Sequence, residues 1–131
     1  MPGFEAIHPA DDDWVATRTL PEYGRRYVDL TSRLGLTESR ARLWRYPAGA
    51  SGAPHLEREQ EEVFVVLQGT LTLLLGDPAD RETLPPGAVA AVAPRTPIHV
   101  RNESGSEVVF LVYGAPPVAD AADRLPPPQE R

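Results

Sequence analysis

Short apolar or alternating runs recur along the chain, and turn-forming residues separate them. Fifteen prolines and ten glycines divide the 131 residues into pieces of this kind, which is typical of β-strands. This many short strands predicts an all-β sandwich or barrel. We predict strands over residues 26–30, 40–46, 55–58, 62–67, 70–75, 81–84, 88–93, 98–102 and 108–113.

Three of these strands are apolar at successive positions, with the sequences VFVVL, LTLLL and VVFLV. Burial on both faces is the simplest explanation, because a half-exposed strand would alternate. The second face would then be covered by the opposing sheet, by the N-terminal segment or by another copy of the protein. The segments LQGTL and LLGDPADRET are predicted to be hairpin turns, with Gly69 and Gly76 available where positive φ is required.

The length of the chain fits one domain with one core. We predict an irregular N-terminal segment at 1–25 with a short helical turn near DDDW, a barrel domain at 26–114, and a Pro-rich tail at 115–131. The tail combines five prolines with charge and little apolar content, so we expect it to be mobile or to lie on the surface.

Composition excludes several classes of function. Nineteen acidic residues against 13 basic ones give a net charge of −6, which argues against nucleic acid as a partner. Every basic residue is arginine, so Schiff-base and P-loop lysines are excluded. The chain has no cysteine, so any metal would be held by nitrogen and oxygen.

The location of the protein is predicted from what the sequence lacks. No apolar run is long enough to span a membrane. The first residues, MPGFEAIHPADDDW, have neither a basic nor an apolar signal region. We therefore expect a cytoplasmic protein with no membrane partner.

The segment PHLEREQEEVFVVLQG holds the candidate chemistry. Residues two apart on a strand share a face, so His55 and Glu57 can point together, and Glu62 can join them from the next strand. One imidazole and two carboxylates form a nitrogen and oxygen set suited to Mn, Fe, Ni or Zn. The alternative is that EREQEE is a solvated, charged connection. Glu62 opens an apolar strand, and we predict it as the catalytic residue, acting as a ligand or as a buried acid or base with a raised pKa.

Residues 40–113 resemble the cupins, which are small double-stranded β-helix barrels of the jelly-roll type. The first motif of that family is a glycine, five residues, HxH, three or four residues, a glutamate, six residues and a glycine. Gly49, the HLE of His55 to Glu57, Glu62 and Gly69 fit every spacing. The departure is Glu57, which stands where the family usually has its second histidine.

The second cupin motif is a glycine, five residues, PxG, two residues, a histidine, three residues and an asparagine. Counting from Gly87 or from Asn102 places Ile98 in the histidine position, whereas counting from Pro94 places His99 there. A shift of one residue sends a strand side chain to the opposite face, so only one of the two faces the lumen unless a bulge intervenes. We expect Ile98 to face inward, because it satisfies both anchors without an insertion.

Three functions follow from these alternatives. The first is a protein that binds a small organic ligand in the lumen, with a degenerate or absent metal site and no cofactor. Its predicted pocket, in which Arg45 and Arg101 could pair with the carboxylates, comprises Leu43, Arg45, Phe64, Val66, Ile98 and Arg101.

The second function is implied by the resemblance: a metal-dependent dioxygenase, decarboxylase or isomerase with His55, Glu57 and Glu62 as ligands. His99 would complete this set if it faced inward. The third is a structural or regulatory module that acts as a dimer. We expect a homodimer in any of these cases.

Overall fold

The computed structural model describes residues 3–118 and 122–131. One short helix, α1, spans Leu30–Leu34, and single 3₁₀ turns span Asp11–Asp13 and Pro21–Tyr23. The first of these turns lies where DDDW predicts one. No helix in the described ranges is long and apolar enough to cross a membrane. The strands are β1 (Val15–Ala16), β2 (Arg26–Asp29), β3 (Arg40–Tyr46), β4 (His55–Glu57), β5 (Glu61–Gln68), β6 (Leu71–Leu75), β7 (Asp80–Leu84), β8 (Val89–Val92), β9 (Ile98–Arg101), β10 (Val108–Ala115) and β11 (Ala122–Arg124).

The strands form two sheets that enclose the core, and all strand pairs are antiparallel. The first sheet has the order β1-β2-β3-β10-β5-β8, and the second has the order β11-β4-β9-β6-β7. Neighbours in a sheet are mostly distant in sequence, as when β10 lies between β3 and β5. The all-β barrel architecture predicted from the sequence is confirmed.

The interior has one densely filled part, which we call the packed region. It lies mainly between β5, β8 and β10 of the first sheet and β6, β7 and β9 of the second. Burial of each large aliphatic side chain in this region stabilises the folded state by roughly 1.5–3 kcal/mol. The packed region comprises Val66, Leu71, Leu73, Leu84, Val92, Ile98 and Val108.

The N-terminal segment covers part of the outer face of the first sheet. Trp14 and Leu30 pack there with Ala41 of β3 and Val109 of β10. The N-terminal segment was one of the three covers that the sequence allowed, and it explains why β10 is apolar at successive positions. Strand β6 is buried on both faces, as its sequence predicts.

Strand β5 does not follow the prediction of burial on both faces. Its exposure alternates, and Leu67 is 54% exposed. On the neighbouring strands, Val89 and Tyr113 are 62% and 44% exposed. The successive apolar residues of VFVVL therefore form an apolar outer surface rather than a second buried face.

Two strands, β1 and β11, are absent from the predicted set. Strand β11 lies in the segment interpreted as a tail, and it pairs with β4. Beyond it, Leu125 N donates to Pro54 O at 3.0 Å, and Ala79 N donates to Gln129 O at 2.8 Å. Residues 122–131 are thus tied along the second sheet by hydrogen bonds with distant residues, which leave no local sequence pattern. The expectation of mobility also covers 119–121, which lie outside the described residues.

One of the two predicted hairpin turns is wrong. LQGTL connects β5 to β6, which belong to different sheets. Gly69 makes this crossing with φ +77°, and a Cβ there would collide with the backbone oxygen of Glu107. LLGDPADRET does join two paired strands, β6 and β7.

Candidate functional site

His55 and Glu57 lie on β4 of the second sheet, and Glu62 lies on β5 of the first. The alternation of strand side chains turns all three toward the space between the sheets. One ligand atom from each residue lies within 4.8 Å of the others. The structure therefore brings together three residues that the sequence proposes as metal ligands, and we call them the His/Glu/Glu cluster.

The imidazole of His55 is oriented by the backbone. Its Nδ1 lies 2.8 Å from Ala53 O. A carbonyl oxygen can only accept, so Nδ1 carries the proton and donates, and in the neutral imidazole the lone pair is then on Nε2. Nε2 lies 3.8 Å from Glu57 Oε1. This tautomer, held by a carbonyl, is the one that a metal-binding histidine commonly adopts.

Glu57 has an unsatisfied oxygen. Its Oε2 is buried, and no donor among the described residues lies within hydrogen-bonding distance of it. Its backbone is held in place, because Arg95 N donates to Glu57 O at 2.6 Å. A buried carboxylate oxygen without a donor is unfavourable in the free protein and is an available ligand for a cation.

Glu62 is the most buried member of the cluster and is 8% exposed. Burial raises the pKa of Glu62, the nearby charge of Glu57 raises it further and the Arg40 guanidinium lowers it, which together bring the pKa to about 7. The protonated and ionised forms of Glu62 are therefore close in free energy near neutral pH.

Two polar residues that the sequence analysis did not single out lie beside the cluster. Gln60 is 5% exposed and donates from Nε2 to Pro116 O at 3.0 Å. Any side chain at Gly114 would collide with the Gln60 amide. Arg40 donates to Val118 O at 2.9 Å. In the sequence, the one signal for these residues is their position at a strand start: Gln60 stands just before β5, and Arg40 is the first residue of β3.

The cluster lines a cavity of about 450 Å³, which we call the lumen cavity. This volume falls in the range of small-molecule sites. Phe64 and Phe110, whose ring centroids lie 6.3 Å apart, separate it from the packed region. Apart from the cluster, its wall includes Arg25, Arg42, Trp44, Tyr46, Phe64 and Phe110.

The predicted pocket residues on β3 are wrong by one position. Leu43 packs outside the barrel with the N-terminal segment. Arg45 also faces outward, with its guanidinium 4.2 Å from the Trp14 ring centroid and its Nε 3.3 Å from Glu107 Oε1. Because strand side chains alternate, the inward residues of β3 are Arg42 and Trp44 instead.

The other predicted pocket residues are divided between three places. Phe64 lines the lumen cavity. Val66 and Ile98 lie in the packed region. Arg101 pairs with Glu103 at 3.1 Å instead of with a carboxylate of the cluster. Neither arginine proposed to pair with the cluster, Arg45 or Arg101, does so.

The choice between Ile98 and His99 is resolved by strand β9. Ile98 is 2% exposed, faces inward, and lies opposite His55 in the strand register. His99 does not join the cluster and lines a separate cavity beneath Leu125 and the following prolines. Burial lowers the pKa of His99, and so does the charge of Arg101.

Two further residues of the second motif agree with the count that places Ile98 in the histidine position. Arg95 occupies the position of the motif glycine and keeps a left-handed conformation, with φ +67°. Asn102 is 1% exposed, and its Nδ2 donates to the backbone oxygens of Tyr46, Pro47 and Ser106 at 2.8 to 3.0 Å. The asparagine therefore ties the end of β3 to the turn between β9 and β10.

Comparison with solved structures identifies several proteins that are similar to this chain. The sugar phosphate isomerase from Silicibacter pomeroyi DSS-3 is 29% identical, with a TM-score of 0.63 over 70% of this chain and 59% of that one. A putative sugar phosphate isomerase from Acidithiobacillus ferrooxidans is 24% identical, with a TM-score of 0.66 over 76% and 64%. This chain thus spans less than two thirds of either protein.

The polyketide cyclase RemF from Streptomyces resistomycificus is similar over more of its length. It has a TM-score of 0.76 and 21% identity, over 94% of this chain and 87% of that one. No curated protein matches the sequence. The family profile of the cupin domain matches residues 42–114, which is more than half of the chain. The chain belongs to the cupin family.

Proposed function

We propose that the barrel binds a small organic molecule in the lumen cavity, beside a divalent transition metal held by His55, Glu57 and Glu62. The observation that carries this proposal is the convergence of the three donor groups within 4.8 Å in the wall of a 450 Å³ cavity. The sequence favours a degenerate or absent metal site. The geometry of the cluster favours an occupied one.

The residues of the cluster fit a cation in three ways. His55 presents an unprotonated Nε2, Glu57 has a buried oxygen without a donor, and Glu62 is a second carboxylate close to the first. Nitrogen and oxygen donors of this kind suit Mn, Fe, Ni or Zn. Ile98 supplies no fourth donor, so three protein ligands would leave positions open, as catalytic metal sites do. A metal bound there would act as a Lewis acid toward an oxygen of the ligand.

Metal binding is tested on protein stripped with a chelator and titrated with Mn²⁺, Fe²⁺, Ni²⁺ and Zn²⁺. We expect one of them to bind stoichiometrically and to raise the melting temperature, because a ligand at a hundred times its Kd stabilises by about 2.7 kcal/mol. His55→Ala should lose both effects. His99→Ala is the matched control, since this histidine lies outside the lumen and should leave metal content unchanged.

Equal metal content in wild type and His55→Ala would show that the metal lies elsewhere. Loss of metal in His99→Ala with retention in His55→Ala would place the metal in the separate cavity that His99 lines. Either result contradicts the proposal.

Proton transfer is a second candidate function, and it treats Glu62 as an acid or base instead of a ligand. Two observations favour it: the pKa of Glu62 is about 7, and the chain is 29% identical to a sugar phosphate isomerase. A base with a pKa near the working pH is efficient in moving a proton between carbon atoms. The reaction would be an isomerisation of a small hydroxy-carbonyl compound.

This candidate is tested by NMR, following deuterium uptake from D₂O into glyceraldehyde and into aldose phosphates. We expect exchange with wild type and its loss in Glu62→Gln, which keeps the shape of the side chain. Exchange that persists in Glu62→Gln would exclude Glu62 as the base.

We also propose that the protein is a homodimer formed through the outer face of β5, β8 and β10. Leu67, Val89 and Tyr113 are all exposed on this face, and exposed apolar surfaces of this kind often mark protein interfaces. Light scattering should give twice the monomer mass for wild type and the monomer mass for Val89→Glu. Val15→Glu is the control, because Val15 is also about half exposed but lies on β1. A monomeric wild type would contradict the proposal.

A further inference from the structure

The lumen cavity contains a buried arginine that belongs to neither the cluster nor the predicted pocket. Arg25 lies just before β2 and is 4% exposed. Its Nη2 donates to Thr19 O at 2.6 Å, and its Nη1 donates to Tyr46 Oη at 3.2 Å. Its Nε is buried and has no partner among the described residues. Arg25 lines the lumen cavity, so its side chain holds an unused donor next to that space.

Among the described residues, no carboxylate acts as a counter-ion to the charge of Arg25. Its hydrogen-bond acceptors are a carbonyl and a phenol, and no carboxylate of the described residues forms an ion pair with it. A guanidinium stays protonated at any working pH, so the positive charge cannot be removed by titration. A buried charge without an opposite charge is unfavourable, and the barrel keeps one in the wall of the lumen cavity.

Six of the other arginines form ion pairs with carboxylates. Those that form ion pairs with nearby carboxylates are more exposed than Arg25: Arg33, Arg45, Arg58, Arg81, Arg101 and Arg131. The least exposed arginine is thus one without an acid beside it. A purely structural arginine at this depth would be expected to have such a partner.

Aromatic rings hold the guanidinium in place. Its Cζ lies 5.5 Å from the ring centroid of Trp44 and 5.3 Å from that of Tyr46. Gly52 leaves room for this arrangement, because a Cβ there would come within 2.9 Å of Tyr46 Oη. The side chain is therefore fixed before any ligand arrives, which lowers the entropy lost on binding.

We infer that Arg25 binds the anionic group, a carboxylate or a phosphate, of the molecule that occupies the lumen cavity. This inference rests on the proposed function and names the class of its ligand. Arg25 then acts as a specificity-determining residue, because an uncharged analogue would leave the guanidinium without its counter-ion. Metal and anion should assist each other, since a cation at the cluster offsets the carboxylates that would repel the anion.

The inference is tested by NMR on the Nε–H resonance of Arg25, assigned by its disappearance in Arg25→Lys. The probes are benzoate, its uncharged analogue benzamide, and inorganic phosphate. They are added to the metal-free Glu57→Gln, Glu62→Gln double variant, in which the carboxylate charges are absent and no metal can bind the probe. We expect one of the anions to shift the resonance and benzamide to leave it unchanged. A response to benzoate alone identifies a carboxylate, and a response to phosphate alone identifies a phosphate.

Affinity is measured in parallel by calorimetry. Arg25→Met should raise the Kd of the bound anion roughly tenfold or more, since a charge-assisted hydrogen bond is lost. Arg26→Met is the matched control, because Arg26 is the next residue, is exposed and begins β2, and this variant should bind the anion as before. If Arg25→Met fails to fold, the uncharged Arg25→Gln serves instead, and the resonance shift itself is measured in the double variant with Arg25 intact.

An unshifted Nε–H resonance with both anions at saturating concentration would overturn the inference, as would equal affinity in the double variant with and without Arg25→Met. This failure is distinct from that of the proposed metal site. Metal uptake with no anion response removes the role of Arg25 alone. An anion response in a protein that takes up no metal removes the metal site and leaves Arg25 as the anion receptor.

Discussion

The packed region and the lumen cavity lie between the same two sheets but are built on opposite principles. In the packed region, Leu71, Leu73 and Val108 are fully buried and no ionisable side chain is present. In the lumen cavity, Arg25 and Glu57 each bury a polar atom that has no hydrogen-bond partner in the part of the chain that the structure describes. The first arrangement stabilises the barrel, whereas the second is unfavourable until something binds.

The difference follows from which residues face inward on each strand. The inward positions of β6 and β9 are aliphatic, so the sheets close on one another there. The inward positions of β3 and β4 carry arginine, aromatic, histidine and glutamate side chains, which cannot fill the space without water or a ligand. We therefore expect stability to depend on the packed region and binding to depend on the lumen cavity.

The largest expected effect is the loss of a side chain from the packed region. Leu73 is completely buried, and Leu73→Ala should lower the free energy of unfolding by about 4 kcal/mol through lost burial and a residual cavity. Urea denaturation measures the change. At a temperature where the variant is folded, its metal content should equal that of wild type. Loss of metal from folded Leu73→Ala would show that the two regions are not independent.

Replacing Asn102 tests whether a buried, hydrogen-bonded polar side chain contributes to stability as the side chains of the packed region do. In Asn102→Ala, three backbone oxygens lose one donor each, although Pro47 O keeps Ala50 N and Ser106 O keeps Ser104 Oγ, and Ser104 N and Oγ lose an acceptor. We expect the free energy of unfolding to fall by about 3 kcal/mol, because each buried unsatisfied group costs roughly 1–3 kcal/mol and some become hydrated. Chemical denaturation of Asn102→Ala and Asn102→Asp gives the comparison. A loss well below 1 kcal/mol in Asn102→Ala would mean that water replaces the amide at little cost.

A substitution in the lumen cavity should have the opposite effect and raise the free energy of unfolding. Folding raises the pKa of Glu62 from 4.5 to about 7, so this group favours the folded state below about pH 4.5 and loses that contribution as pH rises through 7. Metal-free Glu62→Gln, which cannot ionise, should be more stable than wild type by about 2 to 3 kcal/mol near pH 8 and equal to it near pH 4. Denaturation at a series of pH values measures the difference. A difference that does not change with pH would show that ionisation of Glu62 is not its cause.

The same variant separates stability from binding when metal is added. The metal that binds wild type should raise its stability near pH 8 and leave Glu62→Gln unchanged, because the amide is a poor ligand. The two stability curves should therefore approach or cross on metal addition. Equal stabilisation of both proteins would show that Glu62 is not needed to hold the metal.

Sequence patterns predicted the residues of the cluster, because their spacing along β4 and β5 is local and fixed by the period of a strand. The bounds of β3 were likewise predictable, at Arg40–Tyr46. Which face of β3 turns inward was not, because both faces of that strand carry arginine and a large apolar residue. The inward Trp44 and the outward Leu43 are equally acceptable core residues by sequence alone.

Arg25 and β11 could not be predicted for a different reason. Arg25 stands in a segment without periodicity, and its position depends on Thr19 and Tyr46, the second of which is 21 residues away. Strand β11 pairs with β4 across more than 60 residues. Contacts between such distant segments are set by the closed barrel and not by local pattern.

The smallest expected effect concerns Arg95, an exposed residue before β9 whose backbone contacts β4. It takes φ +67°, a conformation that is unfavourable for residues with a Cβ by roughly 1–2 kcal/mol. Arg95→Gly should relieve this strain, but a glycine also makes the unfolded chain more flexible, so we expect a net gain in stability of at most about 1 kcal/mol. Its backbone N–H donates to Glu57 O, and glycine keeps that donor, so metal affinity should be unchanged. Thermal denaturation and metal titration of Arg95→Gly check both expectations. A clear loss of metal affinity would mean that the Arg95 side chain, and not only its backbone, supports the cluster.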